Sequence, residues 1–321
     1  MVCRRLQAGI LEAFQRLAHC NPKVGTHTAA LLFASMNLLK KLAQPHVWER
    51  LFYERLTDPL HLNLIALGVA AFGSYRTKVK WDLVVRQHNA YAILKAADTA
   101  RGLGLKTVSL AEFGVATGAG LMNMAAIATR VTAATGIEFK LYGFDTGQGM
   151  PPARDYRDHP DMYAQGDFAM DFERLRLRLP PNCSLRLGEI GATVSDFLAG
   201  LPDSEPLGYA VIDVDYYYSA VDALRVLAGR PTQYLPLSFI YLDDIWCERH
   251  NSACGERLAV AEWNRDHPQR LIERHPFLEQ GRPFRRARWL RQMHFLHVLD
   301  HPERCVLRAN TQRRILENVD L

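Results

Sequence analysis

The stretch Val108–Gly120, VSLAEFGVATGAG, constrains this chain more than any other. An apolar run of strand character ends at Glu112-Phe113-Gly114. A loop of small residues follows, and LMNMAAIATRVTAATG continues with helical spacing. Strand, glycine turn and helix in that order make a nucleotide-type site at the strand's C-terminal edge. Gly114, Gly118 and Gly120 carry no Cβ, so backbone and ligand can approach closely there. The start of the helix offers free N–H groups to polar ligand atoms. The dinucleotide fingerprint G-x-G-x-x-G fits poorly, because Asn123 stands three residues after Gly120.

From Val108 onward, strands and helices alternate. Four further apolar runs read as strands: Phe139–Phe144, Cys183–Leu187, Tyr209–Ile212 and Phe239–Leu242. They end at Asp145, at Gly188-Glu189, at Asp213-Val214-Asp215 and at Asp243-Asp244, respectively. Met293–Leu299 and Arg304–Leu307, joined by Asp300-His301-Pro302-Glu303, read as a closing antiparallel hairpin. The alternation predicts an α/β fold, Rossmann-like and doubly wound, with a mostly parallel seven-stranded sheet.

Residues 1–85 read as a helical N-terminal extension, a cap or an oligomerisation region, ahead of a main domain at 86–321. Leu6, Ile10, Leu11, Phe14 and Leu17 recur at helical spacing. The segment His61–Phe72 is apolar nearly all round and needs cover, for which a second copy of the chain is the expected candidate. Trp81–Ala100 reads as one more helix. Its Arg86, Gln87, His88, Asn89 and Tyr91 either line a cofactor's far end or form a solvated face.

A net charge of +5 on 321 residues is too mild to demand a nucleic-acid partner. The densest basic run, from Arg282 to Arg291, is short and reads as a solvated face. The six cysteines form no C-x-x-C pair, and the gap between Cys247 and Cys254 is not a zinc spacing, so they read as free thiols. No apolar stretch is long enough to span a bilayer, and the N-terminus does not resemble a signal peptide. A cytoplasmic protein is expected, with no membrane and no nucleic-acid partner.

The strand-end acids carry the chemistry. Ligands of an open α/β sheet bind outside the carboxyl ends of its strands. One acid there usually caps the next helix. Two pairs at neighbouring strands repel one another, and a hard cation with oxygen ligands, such as Mg²⁺, relieves the repulsion while leaving positions for substrate oxygens. Asp213, Asp243 and Asp244 are therefore candidate metal ligands. Asp145 is placed to accept from ribose hydroxyls, and Glu189 and Ile190 to flank an adenine.

The pattern acidic-x-Gly-x-x-x-Gly-x-Gly from Glu112 resembles motif I of the class I S-adenosylmethionine (SAM) methyltransferases, in which the first acid lies near the methionine end of the cofactor. From about Lys106 to Asn264 the chain resembles the macrocin O-methyltransferase (TylF-type) family of metal-dependent methyltransferases. The blocks that carry the likeness are EFGVATGAG, YGFDTGQGMP, GDFAMDFERLRLRL, VIDVDYYYSAVDAL, IYLDDIW and CGERLAVAEW. Phe144-Asp145-Thr146 falls within the second, which adds Thr146 to the cofactor set.

The resemblance implies SAM and Mg²⁺ as cofactors and a hydroxyl of a sugar or other natural product as the methyl acceptor. Asp213 or Asp215 would take the proton, with His250 as a weaker candidate. The related catechol-type enzymes place a lysine base where this chain has Tyr216. The segment Arg154–Gly166 reads as a substrate lid or a plain surface loop. Two other classes stay open from sequence: a non-catalytic SAM-binding scaffold, and a nicotinamide-dependent oxidoreductase on a related sheet.

Overall fold

The computed structural model describes residues 54–246, 251–275 and 277–305. The chain divides into two compact units, Met1–Thr57 and Asp58–Leu321, so the expected N-terminal region of residues 1–85 straddles the division. The second unit is a doubly wound α/β domain. Its elements run α1 (Leu60–Phe72), α2 (Tyr75–Lys80), α3 (Gln87–Gly102), β1 (Thr107–Phe113), α4 (Ala119–Thr135), β2 (Glu138–Asp145), α5 (Phe172–Arg176) and β3 (Cys183–Leu187). Then follow α6 (Ile190–Gly200), β4 (Leu207–Ile212), α7 (Tyr217–Leu224), β5 (Tyr234–Leu242), α8 (Gly255–Asp266), β6 (Arg270–Arg274), α9 (Trp289–Gln292) and β7 (Met293–Val298).

Seven strands form one sheet in the order β3-β2-β1-β4-β5-β7-β6. The first five are parallel, and β7 pairs antiparallel with both β5 and β6. Successive side chains on a strand face opposite sides, and β1 shows the consequence. Val108 and Leu110 enter a core built with α3 and α4, whereas Ala111 and Phe113 enter a second core built with α6, α7 and α8. Burial on both faces explains why these strands read as continuous apolar runs. The order reverses between β1 and β4, which is where such sheets open a crevice.

The expected closing hairpin is corrected. The partner of β7 is β6, which precedes it, and Arg304 lies in a short 3₁₀ turn, Pro302–Arg304. Only Leu271 and Ile272 of Arg-Leu-Ile-Glu-Arg are apolar, so β6 has almost no signature of its own and depends on β7 for its place in the sheet.

The helix expected from Trp81 begins six residues later. Asp82 and Arg86 both take left-handed backbone, with φ of 53° and 54°, and this breaks helical continuity. His88, Asn89 and Tyr91 are buried in packing, neither solvated nor in the crevice. His88 stacks on Tyr241, with ring centroids 3.9 Å apart, Asn89 accepts from the Tyr209 hydroxyl at 2.8 Å, and the Tyr91 hydroxyl meets His275 Nε2 at 3.0 Å.

In α1, Leu60, Leu64, Leu67 and Phe72 are exposed and only Ala66 is buried. No described helix is long and apolar enough to cross a membrane. Cys183, Cys254 and Cys305 are free thiols.

The basic run does not present a uniformly solvated face. Arg282 is buried between the rings of Tyr91 and Trp289, its guanidinium bonded to Asp82 and to the Val79 carbonyl. Removing one member of a buried pair leaves the other charge uncompensated, so Arg282→Ala is expected to cost about 3–5 kcal/mol in urea unfolding at pH 7. The double variant Asp82→Asn/Arg282→Met, which removes both charges, should recover much of that loss.

Candidate active site

The crevice lies at the carboxyl ends of β1, β2, β3, β4 and β5 and has a volume of about 390 Å³. Gly114, Asp145, Thr146, Glu189, Ile190, Asp213, Asp215, Asp243 and Asp244 all line it. Residues that close five different strands therefore meet in one place.

Gly114 makes the meeting possible. It takes φ of 83°, and a Cβ at this position would run into the Asp213 carbonyl. The ladder continues past the strand ends: Gly114 N donates to Phe144 O, Asp213 N to Phe113 O and Asp243 N to Ile212 O, each at 3.0 Å. Asp145 braces the glycine turn. Its Oδ2 accepts from the backbone N–H groups of Val115 and Ala116 at 2.8 and 2.9 Å, and its Oδ1 from Gly147 at 2.7 Å. A carboxylate has about four acceptor sites, so Asp145 can still receive a ligand hydroxyl.

The remaining turn residues face elsewhere. Gly118, with φ of 79°, packs against Leu175 and lines a separate groove, and Gly120 packs against the Glu112 carboxylate. Neither Gly118, Gly120 nor Glu112 lines the crevice. Glu112 is buried beneath the turn with its Oε2 unbonded. Burial above all, then the charge of Asp213, pushes its pKa up to about 8, against an opposing pull from Arg86. His250 lies outside the described residues.

Asp213, Asp243 and Asp244 offer carboxylate oxygens within 4.8 Å of one another, and no other acid, His or Cys cluster of this kind occurs among the described residues. The Asp213 pKa is raised by burial, then by Asp243 and Asp215. Three crowded carboxylates with oxygen-only chemistry fit a hard divalent cation. Asp215 stands outside the trio and takes φ of 56°. Burial raises its pKa, while hydrogen bonds with Tyr163 and Asp244 oppose the shift.

Two supporting residues had little or no sequence signal. Glu256, buried at the start of α8, accepts from Asp244 N at 3.1 Å, and burial followed by the charges of Asp244 and Asp243 keeps its pKa well above the ordinary value. Gln292 of α9 donates to the Asp243 carbonyl and accepts from the Tyr241 hydroxyl at 2.9 Å. Glu256 falls inside the CGERLAVAEW block, and Gln292 falls in none.

The Arg154–Gly166 segment forms one wall of the crevice. Buried Asp158 accepts from Arg154 N at 2.9 Å and from Tyr218 N, in the first turn of α7, at 3.1 Å. Asp155 accepts from the Tyr218 hydroxyl at 3.0 Å, and Arg157 lies over the rings of Tyr217 and Tyr218. The Tyr216 side chain, where a lysine base would stand, is buried.

Among solved structures the chain is similar to CalS11, a calicheamicin methyltransferase, at 21% identity and a TM-score of 0.43, covering 66% of this chain and 80% of that one. It is similar to CmcI in a Mg-SAM form at 13% identity and a TM-score of 0.31, covering 63% and 70%. It is also similar to the plantazolicin methyltransferase BpumL in complex with SAH, at 12% identity and a TM-score of 0.32, covering 65% and 83%. No family model and no curated protein matches the sequence.

Burial keeps Glu112 protonated in the fold up to about pH 8, whereas its ordinary value is 4.5. Folding therefore takes up a proton between those values, and stability falls as the pH rises through that window. Glu112→Gln, which keeps an acceptor but cannot ionise, should make the fall in thermal stability between pH 5 and 9 shallower, the remainder coming from Asp213, Asp215 and Glu256. Above pH 8 it should exceed the parent by on the order of 2–4 kcal/mol, given ~1.4 kcal/mol per pKa unit.

Proposed function

We propose that the protein is a SAM-dependent O-methyltransferase, assisted by a divalent cation, that methylates a hydroxyl of a sugar or other natural product. The observation that carries this reading is the convergence of a glycine turn, its bracing Asp145 and the acid trio in one crevice at the sheet's switch point.

The residues present suit both groups. Gly114 and Ala116, two positive-φ residues of the turn, line the crevice where the cofactor would lie. Asp145 and Thr146 would meet the ribose, and Glu189 and Ile190 the adenine. Glu112, Gly118 and Gly120 serve the cofactor indirectly, by shaping the turn from behind. Asp213, Asp243 and Asp244 would hold the cation, Mg²⁺ from the all-oxygen donor set. When bound, SAM would supply an electrophilic methyl group on a sulfonium, and a cation held by the trio would supply the positive charge that makes a substrate hydroxyl more acidic.

The chain's own residues divide the remaining work. With Asp213 engaged in the trio, Asp215 is the carboxylate best placed to take the acceptor's proton, and its raised pKa makes it a stronger base than an exposed aspartate. The Tyr163 hydroxyl orients it. Glu256 and Gln292 hold the Asp243–Asp244 backbone. Much of the acceleration would come from holding hydroxyl and methyl in line.

Calorimetry with SAM, NAD⁺ and Mg²⁺, followed by methyl transfer to a panel of hydroxylated acceptors, tests the reading. Asp243→Asn should lose Mg²⁺ binding and turnover while keeping SAM affinity. Asp215→Asn should keep both ligands and lose about 10²–10⁴-fold in kcat. Full turnover in excess chelator removes the cation from the account, and NAD⁺ binding in preference to SAM overturns the whole.

A further inference from the structure

A second cluster, adjoining in sequence the acid pair and the residues that fix it, is left unused by the methyl-transfer chemistry. Trp246, two residues after Asp244, keeps 48% of its surface exposed. Two guanidinium groups lie over its ring, those of Arg257 at 5.9 Å and Arg291 at 5.8 Å from the centroid. Both arginines are exposed, and neither has a carboxylate partner among the described residues.

Their place in the chain sets them next to the residues that fix the acid pair, and none of the three lines the crevice itself. Arg257 directly follows Glu256, which bonds Asp244 N, and Arg291 directly precedes Gln292, which bonds the Asp243 carbonyl. Two separate elements, the start of α8 and the end of α9, each place an arginine beside a residue that fixes the acid pair, and the loop after β5 places Trp246 two residues beyond Asp244. The two cations do not neutralise those acids, since neither bonds to them. What they share is the Trp246 ring, whose negative face holds a guanidinium in place without consuming its N–H donors. Five planar donors on each group remain for an oxyanion, which a guanidinium binds through paired hydrogen bonds.

We propose that Arg257 and Arg291, positioned by Trp246, form an oxyanion-binding rim that grips a phosphate or carboxylate group of the methyl acceptor. The inference rests on the methyltransferase reading for the word acceptor, and on the cluster alone for the anion. The acceptor is then an acidic molecule, such as a phosphorylated or carboxylated polyol. One end sits on the two arginines and a hydroxyl reaches the acid trio.

The test is calorimetric titration of the full chain, in EDTA, with inorganic pyrophosphate and separately with malonate. Saturable binding is expected for at least one anion, falling tenfold or more in Arg257→Gln/Arg291→Gln and severalfold in Trp246→Leu. Tighter pyrophosphate identifies a phosphate group, and tighter malonate a carboxylate. Absence of saturable binding by both anions, or equal affinity in the parent and the double variant, overturns the proposal. SAM affinity, measured on the same samples, should be unchanged in the double variant. Its absence in the parent would count against the methyltransferase reading and leave the anion result standing.

Discussion

Negative charge crowded at the ends of β4 and β5 is the constraint around which the domain is arranged. Asp213, Asp215, Asp243 and Asp244 line one crevice, with Glu256 buried directly behind them. Burial first, and then mutual repulsion, pushes protons onto its members, as the raised pKa values of Asp213 and Glu256 record. Repulsion of this kind opposes folding unless something else gathers or neutralises the charge. The backbone does the gathering. Asp213 and Asp243 are clamped by ladder bonds to the neighbouring strands, and Asp244 is held by Glu256. The trio's geometry is thus fixed by the protein backbone itself.

The same geometry sets the demands on the glycine turn. β1 and β4 are neighbours, and the loops leaving them share the narrow space at the reversal of strand order. Gly114 lets the Asp213 carbonyl approach where any side chain would block it. Asp145 then satisfies the turn's free N–H groups from the adjacent strand. The two halves of the crevice, the glycine turn and the acid trio, thus depend on one close backbone contact between their strands.

Much of this was legible in the sequence because buried parallel strands announce themselves as apolar runs, and their carboxyl ends are where side chains change to polar. The ends of β1, β2, β3, β4 and β5 were readable for that reason, together with the acids that close them. What stayed hidden was held by partners distant in sequence. β6 has two apolar residues and is defined by β7. His88 and Asn89 look like surface polar residues until Tyr241 and Tyr209 supply their partners. Arg282 sits in a run of arginines and differs from the others only because Asp82, two hundred residues earlier, is buried beside it. Glu112 keeps its place in the motif, but its side chain turns under the loop, because alternation on β1 sends it to the α3–α4 face.

The bond from Asp158 to the first turn of α7 has a wider consequence. The residue before that helix's N-cap is Asp215, so the wall of the crevice and the carboxylate proposed as the base belong to one mechanical piece. An ordinary specificity loop can be exchanged while the catalytic groups stay put. Here a transplanted loop lacking an acid at position 158 would leave a helix end uncapped and loosen Asp215. A change of specificity in such a scaffold has to proceed through wall residues such as Arg154, while sparing the anchor.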